Sequence, residues 1–181
     1  MEEKSNSIWK AGLTYGAMLG LILIIYTILL YVMDQSFNKG LGYVSFIFMA
    51  AMVFYGAKSY RDNSLGGFIS YGRALGISMI IILVAGIIST IYFLIHASII
   101  DTEYITKLIA ASEEELLKKG MSDDQIEMAL SMQKKMMKPA IIGIFAFLGT
   151  AFWGFIIALL TSIFVKKQGN SYQEAMQDIE E

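Results

Sequence analysis

The sequence contains no cysteine, which excludes disulfide bonds, thiol nucleophiles, c-type haem attachment and cysteine-based metal sites. Charged residues are also scarce, at 17% of the chain against about 25% in soluble proteins. The formal net charge is −2, so no overall basic field would attract nucleic acid. Hydrophobic residues make up 56% of the chain and are concentrated in long runs, a pattern typical of an all-α integral membrane protein.

Four apolar runs are long enough to cross a membrane, since crossing about 30 Å of hydrocarbon takes about 20 helical residues. They cover residues 11–33, 41–57, 74–100 and 140–165, and a polar tail, 168–181, follows the last. Because a bilayer offers no water to backbone groups, these runs are predicted to be helices. The second is short and would cross with little tilt or with local thinning of the bilayer. The first is too long for a signal peptide and lacks a cleavage site, so we interpret it as a retained span.

The connections between the runs predict how the chain crosses the membrane. Residues 34–40 are rich in turn formers and predict that the first two spans form a tight antiparallel hairpin, with the last two spans forming a second. The 14 Lys and Arg residues divide equally between the two sides. Charges that directly flank spans weigh most, and their position favours cytoplasmic termini. These flanking residues are Lys10, Lys58, Arg61, Arg73, Lys166 and Lys167.

Residues 101–138 form the only sizeable polar region and predict an extramembrane helical hairpin between the third and fourth spans. Its first helix is predicted to continue the third span without a break, because apolar residues recur at helical spacing. Gly120 lies where that helix would end in a left-handed conformation, and Ser122 and Gln125 form a capping box for the return helix. Pro139 is predicted to kink the helix at membrane re-entry.

Two of the predicted spans carry small residues at four-residue spacing, which allows helix backbones to approach closely. We predict that these faces pack inside the helix bundle. The alternative is that they bind a second copy of the chain or another membrane protein. They comprise Gly12, Gly16 and Gly20 on the first span, and Ala146, Thr150, Gly154 and Ala158 on the fourth.

The spans contain few chemically reactive side chains. His96 is the only ionisable residue within them, and we interpret it as an interfacial residue rather than a ligand. The lack of buried acids and bases argues against an ion-coupled transporter or pump. Trp153 lies in the middle of the fourth span, where we expect it to pack inside the bundle or against lipid. The alternative is that it borders a groove for a lipid or quinone. No nucleophile with its base, phosphate-binding loop or metal-ligand cluster is recognisable, so no catalytic, cofactor-binding or metal residue is assigned.

The most distinctive residues lie where the chain returns from a polar loop into the third span. They are Gly66, Gly67, Phe68, Ile69, Ser70, Tyr71, Ala74 and Gly76. Together with four spans, a long polar insert before the last span and a terminal lysine pair, this motif resembles the bacterial membrane proteins catalogued as domain of unknown function 4199. The resemblance implies a bacterial inner-membrane protein with no established activity, and it carries over no functional residue.

We therefore expect a non-enzymatic structural or accessory membrane protein that needs no cofactor. It would associate with another membrane protein, or with itself, through the small-residue faces and the outer hairpin. The alternative function is the handling of a lipid or small molecule in a groove near Trp153. In both cases the expected partners include membrane lipid and exclude nucleic acid.

Overall fold

The structure is a computed structural model that describes residues 2–168. Of the predicted polar tail, everything after Gln168 lies outside the described residues. Within the described range the chain is helical, apart from one antiparallel bridge between Ile69 and Lys167 and the connecting turns. The helices are α1 (Glu2–Val32), α2 (Lys39–Gly42), α3 (Val44–Ser64), α4 (Tyr71–Ile95), α5 (Tyr104–Lys118), α6 (Asp123–Met136) and α7 (Pro139–Val165), and a π-helical turn (His96–Ile100) follows α4.

Four helical stretches are long and apolar enough to cross a membrane, and each contains one of the predicted runs. The second stretch reaches beyond the apolar run at 41–57, because α3 continues as a helix through polar residues up to Ser64. The prediction of an all-helical protein with four such helices is confirmed. The four stretches are Ile8–Val32, Lys39–Ser64, Tyr71–Ile100 and Pro139–Val165.

Helix α4 lies at the centre of the bundle and packs against α1, α3 and α7. Helix α3 also contacts α1 and α7, whereas α1 and α7 make at most marginal contact with each other. One side of α4 is therefore left partly uncovered between α1 and α7. The bulky side chains that are fully buried come from α1, α3, α4 and α7, and they include Leu19, Val53, Tyr60, Ile77, Ile81, Ile82 and Val165.

The glycines of α1 bring its backbone close to α4. A Cβ atom built on Gly16 would lie 2.6 Å from Cβ of Val84 and 2.9 Å from the carbonyl oxygen of Ile81. A Cβ on Gly12 or Gly20 would clash with α4 side chains in the same way. Only glycine permits this separation of the two helices, so this face of α1 is used for packing inside the bundle.

The small residues of α7 occupy two different environments. Gly154 and Ala158 are buried, and a Cβ atom on Gly154 would clash with Ile82 of α4. Ala146 is exposed and Thr150 is half-buried, and both line a cavity. The four-residue spacing of these small residues predicted a single face of α7. In the structure, one part of that face packs against α4 and the other part lines a cavity.

The connection between α3 and α4 holds three helices together. Gly66 and Gly67 have φ angles of 62° and 89°, in the left-handed region that favours glycine. Ile69 then pairs with Lys167, and each backbone N–H donates to the carbonyl oxygen of the other, at 2.9 and 3.1 Å. The Ser70 hydroxyl oxygen caps the start of α4. This loop thereby fastens the end of α7 beside the start of α4.

Among the remaining residues of the motif, Ala74 is buried, and Phe68 and Tyr71 contact α7 or the residues that follow it. The ring of Phe68 lies beneath the Lys167 ammonium group, with Nζ 5.5 Å from the ring centroid. The Tyr71 hydroxyl donates to the carbonyl oxygen of Leu159 at 3.3 Å. Gly76 differs, because a Cβ atom there would meet no other atom within 4 Å. The motif from Gly66 to Tyr71 is thus explained by local structure, whereas Gly76 is not.

The chain does not pass from α4 into α5 as one helix, so the prediction of an unbroken helix is wrong. The π-helical turn ends at Asp101, whose backbone N–H donates to the carbonyl oxygen of His96 at 2.8 Å. The buried Asp101 carboxylate accepts two hydrogen bonds from Lys107, at 3.0 and 3.1 Å. This local bonding competes with continuation of the helix, and α5 begins anew at Tyr104.

Pro139 does not kink a helix, contrary to the prediction. It is the first residue of α7, and Lys138 before it has an extended backbone. A proline at the first helical position loses no hydrogen bond, and its fixed φ suits the start of a helix. Helix α6, which ends at Met136, and α7 are therefore separate helices.

Helices α5 and α6 pack against each other across a short connection. Gly120 ends α5 with a φ of 73°, which confirms its predicted left-handed conformation. The backbone N–H of Ser122 donates to Oε1 of Gln125 at 3.1 Å, as the predicted capping box requires. Nε2 of Gln133 donates to the Ser112 hydroxyl at 3.1 Å and joins the two helices midway along their length.

Candidate functional site

A cavity of about 200 Å³ lies between α1, α4 and α7, on the side of α4 that the other two helices leave uncovered. Its lining includes the small residues Gly86, Ala146 and Thr150. One end of the cavity reaches Tyr104 of α5. The other lining residues are Leu23, Ile24, Thr27, Ser89, Thr90, Tyr92, Phe93 and His96.

Ser89 lines this cavity with a hydroxyl that is buried and has no hydrogen-bond partner among the described residues. Other buried hydroxyls in the bundle donate to the carbonyl oxygen one helical turn earlier, as Ser78 does to Ala74 at 2.8 Å. Ser162 also lacks a partner, but it does not line the cavity. An unsatisfied buried hydroxyl costs about 1–3 kcal/mol. With less than 1 Å² accessible, the Ser89 oxygen lies in the wall of the cavity, behind the surface that an occupant would contact.

Aromatic rings surround His96 at the end of the cavity. The imidazole is 3% exposed, and its Nδ1 lies 3.3 Å from the Tyr92 hydroxyl. The edge of the Tyr31 ring approaches it with a centroid separation of 4.7 Å, and Tyr104 of α5 stands at 5.7 Å. His96 thus lies near the end of its predicted span, but inside an aromatic cluster rather than at an open surface.

The charged groups beside this end of the cavity, Asp101 and Lys107, form an ion pair with each other. Asp101 is 5% exposed, and both of its carboxylate oxygens accept from Lys107. The hydrogen bond to Asp101 raises the pKa of Lys107, so its ammonium group stays charged at neutral pH. Burial, and then the negative charge of Asp101, raise the pKa of Tyr104. At neutral pH this end of the cavity therefore contains the uncharged phenol of Tyr104. Beside it lie Asp101 and Lys107, whose opposite charges balance each other.

A second ion pair holds α5 against the connection between α1 and α3. Lys39 binds the carboxylate of Glu115, which Lys119 also contacts at 3.0 Å. The hydrogen bond from Lys39, followed by that from Lys119, lowers the pKa of Glu115 to about 2. The carboxylate therefore stays charged throughout the physiological range. This pair borders an outer cavity of about 560 Å³ between α5 and residues 36–42.

Trp153 lies on the outer surface of the bundle, where 52% of its side chain is exposed. Its ring contacts Phe152 and Phe46, with centroid separations of 5.6 and 6.2 Å. It lines neither of the cavities described above. The cavity around His96 and the ring of Trp153 are therefore separate features of the bundle.

Sequence reasoning singled out His96, Ala146 and Thr150 but did not bring them together, and it missed Ser89 and Tyr104. A signal for Ser89 was present, because two adjacent hydroxyl residues interrupt the most apolar of the long runs. The functional meaning of Tyr104 depends on the turn that places α5 beside the cavity. Within residues 2–168, no three His, Asp or Glu side chains lie close enough together to hold a metal ion.

Four helices are long and apolar enough to span a bilayer, a pattern typical of α-helical membrane proteins. Residues 14–167 match the family described as Protein of unknown function (DUF4199), and the chain belongs to that family. The resemblance drawn from the loop motif is thus confirmed. No curated protein and no solved structure matches the chain.

Proposed function

We propose that this protein is a non-enzymatic membrane protein that binds a membrane lipid, or another small amphipathic molecule, in the cavity between α1, α4 and α7. The observation that carries this proposal is the cavity itself, which lies within the apolar part of the bundle and is lined by polar side chains that include Thr90, Tyr92 and His96. Polar groups at that depth are expensive and tend to mark functional sites. Ala146 and Thr150 support the proposal, because they keep the cavity open where larger residues would close it.

In this proposal the four long helices cross the membrane as two antiparallel hairpins, and α5 and α6 stand outside it. Helix directions support the arrangement. Gly12, Gly16 and Gly20 meet successively later residues of α4, so α1 and α4 run parallel. Gly143 approaches Leu94 whereas Gly154 approaches Ile82, so α4 and α7 run antiparallel.

The protein is proposed to lie in the bacterial inner membrane with cytoplasmic termini and with α5 and α6 in the periplasm. Basic residues at the ends of α3 and α7, including Arg61, Lys166 and Lys167, support this orientation. Alkaline phosphatase fused at Gly120 is expected to be active, and green fluorescent protein at the same place dark. Fusions after Lys167 serve as the control and should show the reverse pattern. A fluorescent, phosphatase-inactive fusion at Gly120 would overturn the orientation.

Native mass spectrometry after purification in mild detergent tests lipid binding. The unmodified protein is expected to retain a lipid-sized adduct. Ala146→Leu fills the cavity from an exposed position, and we expect it to lower adduct occupancy at least about fivefold, as loss of about 1 kcal/mol of binding energy would. Ala51→Leu is the matched control, because Ala51 is exposed on α3 and does not line the cavity.

The size-exclusion profile of both leucine variants should match that of the unmodified protein, because neither substituted position is buried. An adduct that survives Ala146→Leu at full occupancy would contradict binding in this cavity. A protein that carries no adduct, even when purified from native membranes, would contradict the proposed function as a whole.

A second candidate function is that of an accessory protein that binds another membrane protein through α5 and α6. The observation that favours it is a row of exposed methionines on α6, at Met128, Met132 and Met136, which are 67%, 67% and 54% exposed. Methionine surfaces adapt readily to protein partners. The glycine face of α1 is occupied by α4, so this candidate rests on the outer helices. A stoichiometric companion protein in the same purification would favour it over lipid binding.

A further inference from the structure

We propose that two exposed lysines, Lys58 of α3 and Lys167 after α7, bind the phosphate group of an anionic phospholipid. The site lies where α3 and α7 end and α4 begins. On α4 the lining of the cavity begins only at Gly86 and ends at His96, towards the other end of the helix. The phosphate site is therefore separate from the cavity and goes beyond the proposed function.

Three segments that are distant in the sequence meet at this site. Arg61 of α3 donates from Nη1 to the carbonyl oxygen of Val165, the last residue of α7, at 2.9 Å. Two residues later, the backbone of Lys167 forms two hydrogen bonds with Ile69 of the loop before α4. The Lys167 ammonium group lies over the ring of Phe68 in the same loop. These contacts fix the backbone of Lys167 beside the end of α3.

Lys58 and Lys167 approach the same carboxylate, that of Asp62. Lys58 is one helical turn before Asp62 on the same face of α3, and the charges of both lysines act on Asp62. The Arg61 guanidinium already holds this carboxylate with two hydrogen bonds, at 2.7 and 3.2 Å. Within residues 2–168, neither Lys58 nor Lys167 forms an ion pair. The described side chains therefore leave both lysine charges unbalanced.

Several lysines at the opposite end of the bundle are arranged differently. Each of four forms an ion pair with an aspartate or a glutamate: Lys39, Lys107, Lys118 and Lys119. Lys58 and Lys167 are exposed instead, so an external anion can reach them. Basic side chains clustered at the end of a membrane span are typical of sites for anionic lipid headgroups. A phosphate oxygen accepts charge-assisted hydrogen bonds from ammonium groups, which makes phosphate a suitable ligand.

The apolar surface next to the lysines favours a lipid as the source of the phosphate. Ile163 and Phe164, in the last turn of α7, are largely exposed, and Lys166 and Lys167 follow them directly after Val165. In a membrane such side chains contact acyl chains, while the lysines reach the headgroups. A phosphate held at Lys167 would therefore lie at the depth where phospholipids carry theirs.

Native mass spectrometry of the full-length protein in an uncharged detergent tests this proposal. The protein is titrated with phosphatidylglycerol or with phosphatidylcholine of the same acyl chains. Because each basic residue contributes about 1 kcal/mol towards an anionic lipid, we expect phosphatidylglycerol to bind at least about tenfold more tightly. The preference should shrink as the salt concentration rises.

Lys58→Gln combined with Lys167→Gln removes both charges and keeps side chains of similar length. This double variant should lower the affinity for phosphatidylglycerol at least about tenfold. Lys134→Gln combined with Lys138→Gln is the matched control, because these exposed lysines precede α7 at its other end and their loss changes the net charge equally. The control should change the affinity less than about twofold.

Asp62→Asn should act in the opposite direction. It removes the carboxylate that competes with phosphate for Arg61 and for both lysines, so we expect about fivefold tighter binding of phosphatidylglycerol. A role of Asp62 in stability alone would not strengthen binding. Unchanged or weaker binding by Asp62→Asn would overturn the electrostatic basis of the site.

Two soluble probes, glycerophosphoglycerol and inorganic phosphate, identify the source of the phosphate. We expect the lipid to bind at least about tenfold more tightly than either, because only the lipid adds contacts to acyl chains. If either soluble probe bound as tightly, the lipid assignment would be overturned while the phosphate site stood. Equal losses in the two double variants, or equal affinity for the two lipids, would overturn the site itself.

Ala146→Leu separates this site from the cavity of the proposed function. It alters the cavity lining and leaves the lysines intact, so the preference for phosphatidylglycerol over phosphatidylcholine should persist. Loss of that preference would place the recognition of the headgroup in the cavity and overturn its assignment to Lys58 and Lys167.

Discussion

Gly16→Leu is expected to push α1 away from α4 and to destabilise the bundle strongly. The first side-chain carbon would already lie 2.6 Å from Val84 and 2.9 Å from the backbone carbonyl oxygen of Ile81, so a change of side-chain rotamer cannot relieve both clashes. Overpacking usually costs about 1–3 kcal/mol, and contact with backbone places this variant at or above the upper end. At about 2–4 °C per kcal/mol for a chain of this size, the melting temperature should fall by about 10 °C or more.

Thermal unfolding in detergent, followed by size-exclusion chromatography, provides the measurement. Gly149→Leu is the matched control, since Gly149 lies in α7 and a Cβ atom there meets no other atom within 4 Å. It should melt close to the unmodified protein. If Gly16→Leu kept both its melting temperature and its elution volume, the close packing of α1 on α4 would be disproved.

Tyr60→Ala is expected to cost about 3–5 kcal/mol, the usual range for removing a large buried ring. Tyr60 is 1% exposed and belongs to the core to which α1, α3, α4 and α7 all contribute. Its hydroxyl also accepts a hydrogen bond from Nη2 of Arg73 at 3.3 Å, at the start of α4. Both its volume and its polar contact therefore join the two helices near the loop that connects them.

Two variants separate these contributions in the same melting assay. Tyr60→Phe keeps the ring and should cost about 1 kcal/mol for the hydrogen bond. Tyr55→Ala removes the same type of side chain from the same helix, but Tyr55 is 57% exposed, so its loss should change the melting temperature little. Equal losses in Tyr55→Ala and Tyr60→Ala would show that burial against α4 is not what makes Tyr60 important.

The helices and several of their ends were predictable from local sequence. Any apolar run of this length must satisfy its backbone hydrogen bonds internally once it enters hydrocarbon, and a helix does so within the run itself. Gly120 and Ser122 specify a helix end and a helix start through contacts with residues only a few positions away. The prediction failed at Asp101, because the pairing of its buried carboxylate with Lys107, which breaks the helix there, is recognisable only in the folded chain.

The candidate site was only partly predictable. Ala146, Thr150 and Gly154 do recur at the spacing of one helix face. That spacing does not reveal how far along the face a neighbouring helix packs. Helix α4 packs closely on Gly154, and the cavity opens at Ala146. Tyr104 joins the lining of that opening only because the turn after α4 places α5 beside it.

The sequence by itself determined that four helices are long and apolar enough for a membrane, together with the family to which the chain belongs. Both follow from runs of neighbouring residues and from a short loop motif. Only the tertiary structure decided that α4 occupies the centre, that α1 and α7 flank it with little mutual contact, and that a cavity with an unpartnered hydroxyl lies between them. The physical reason is that transfer into hydrocarbon depends on composition over about 20 residues, whereas the placement of a cavity depends on contacts between helices far apart in the chain.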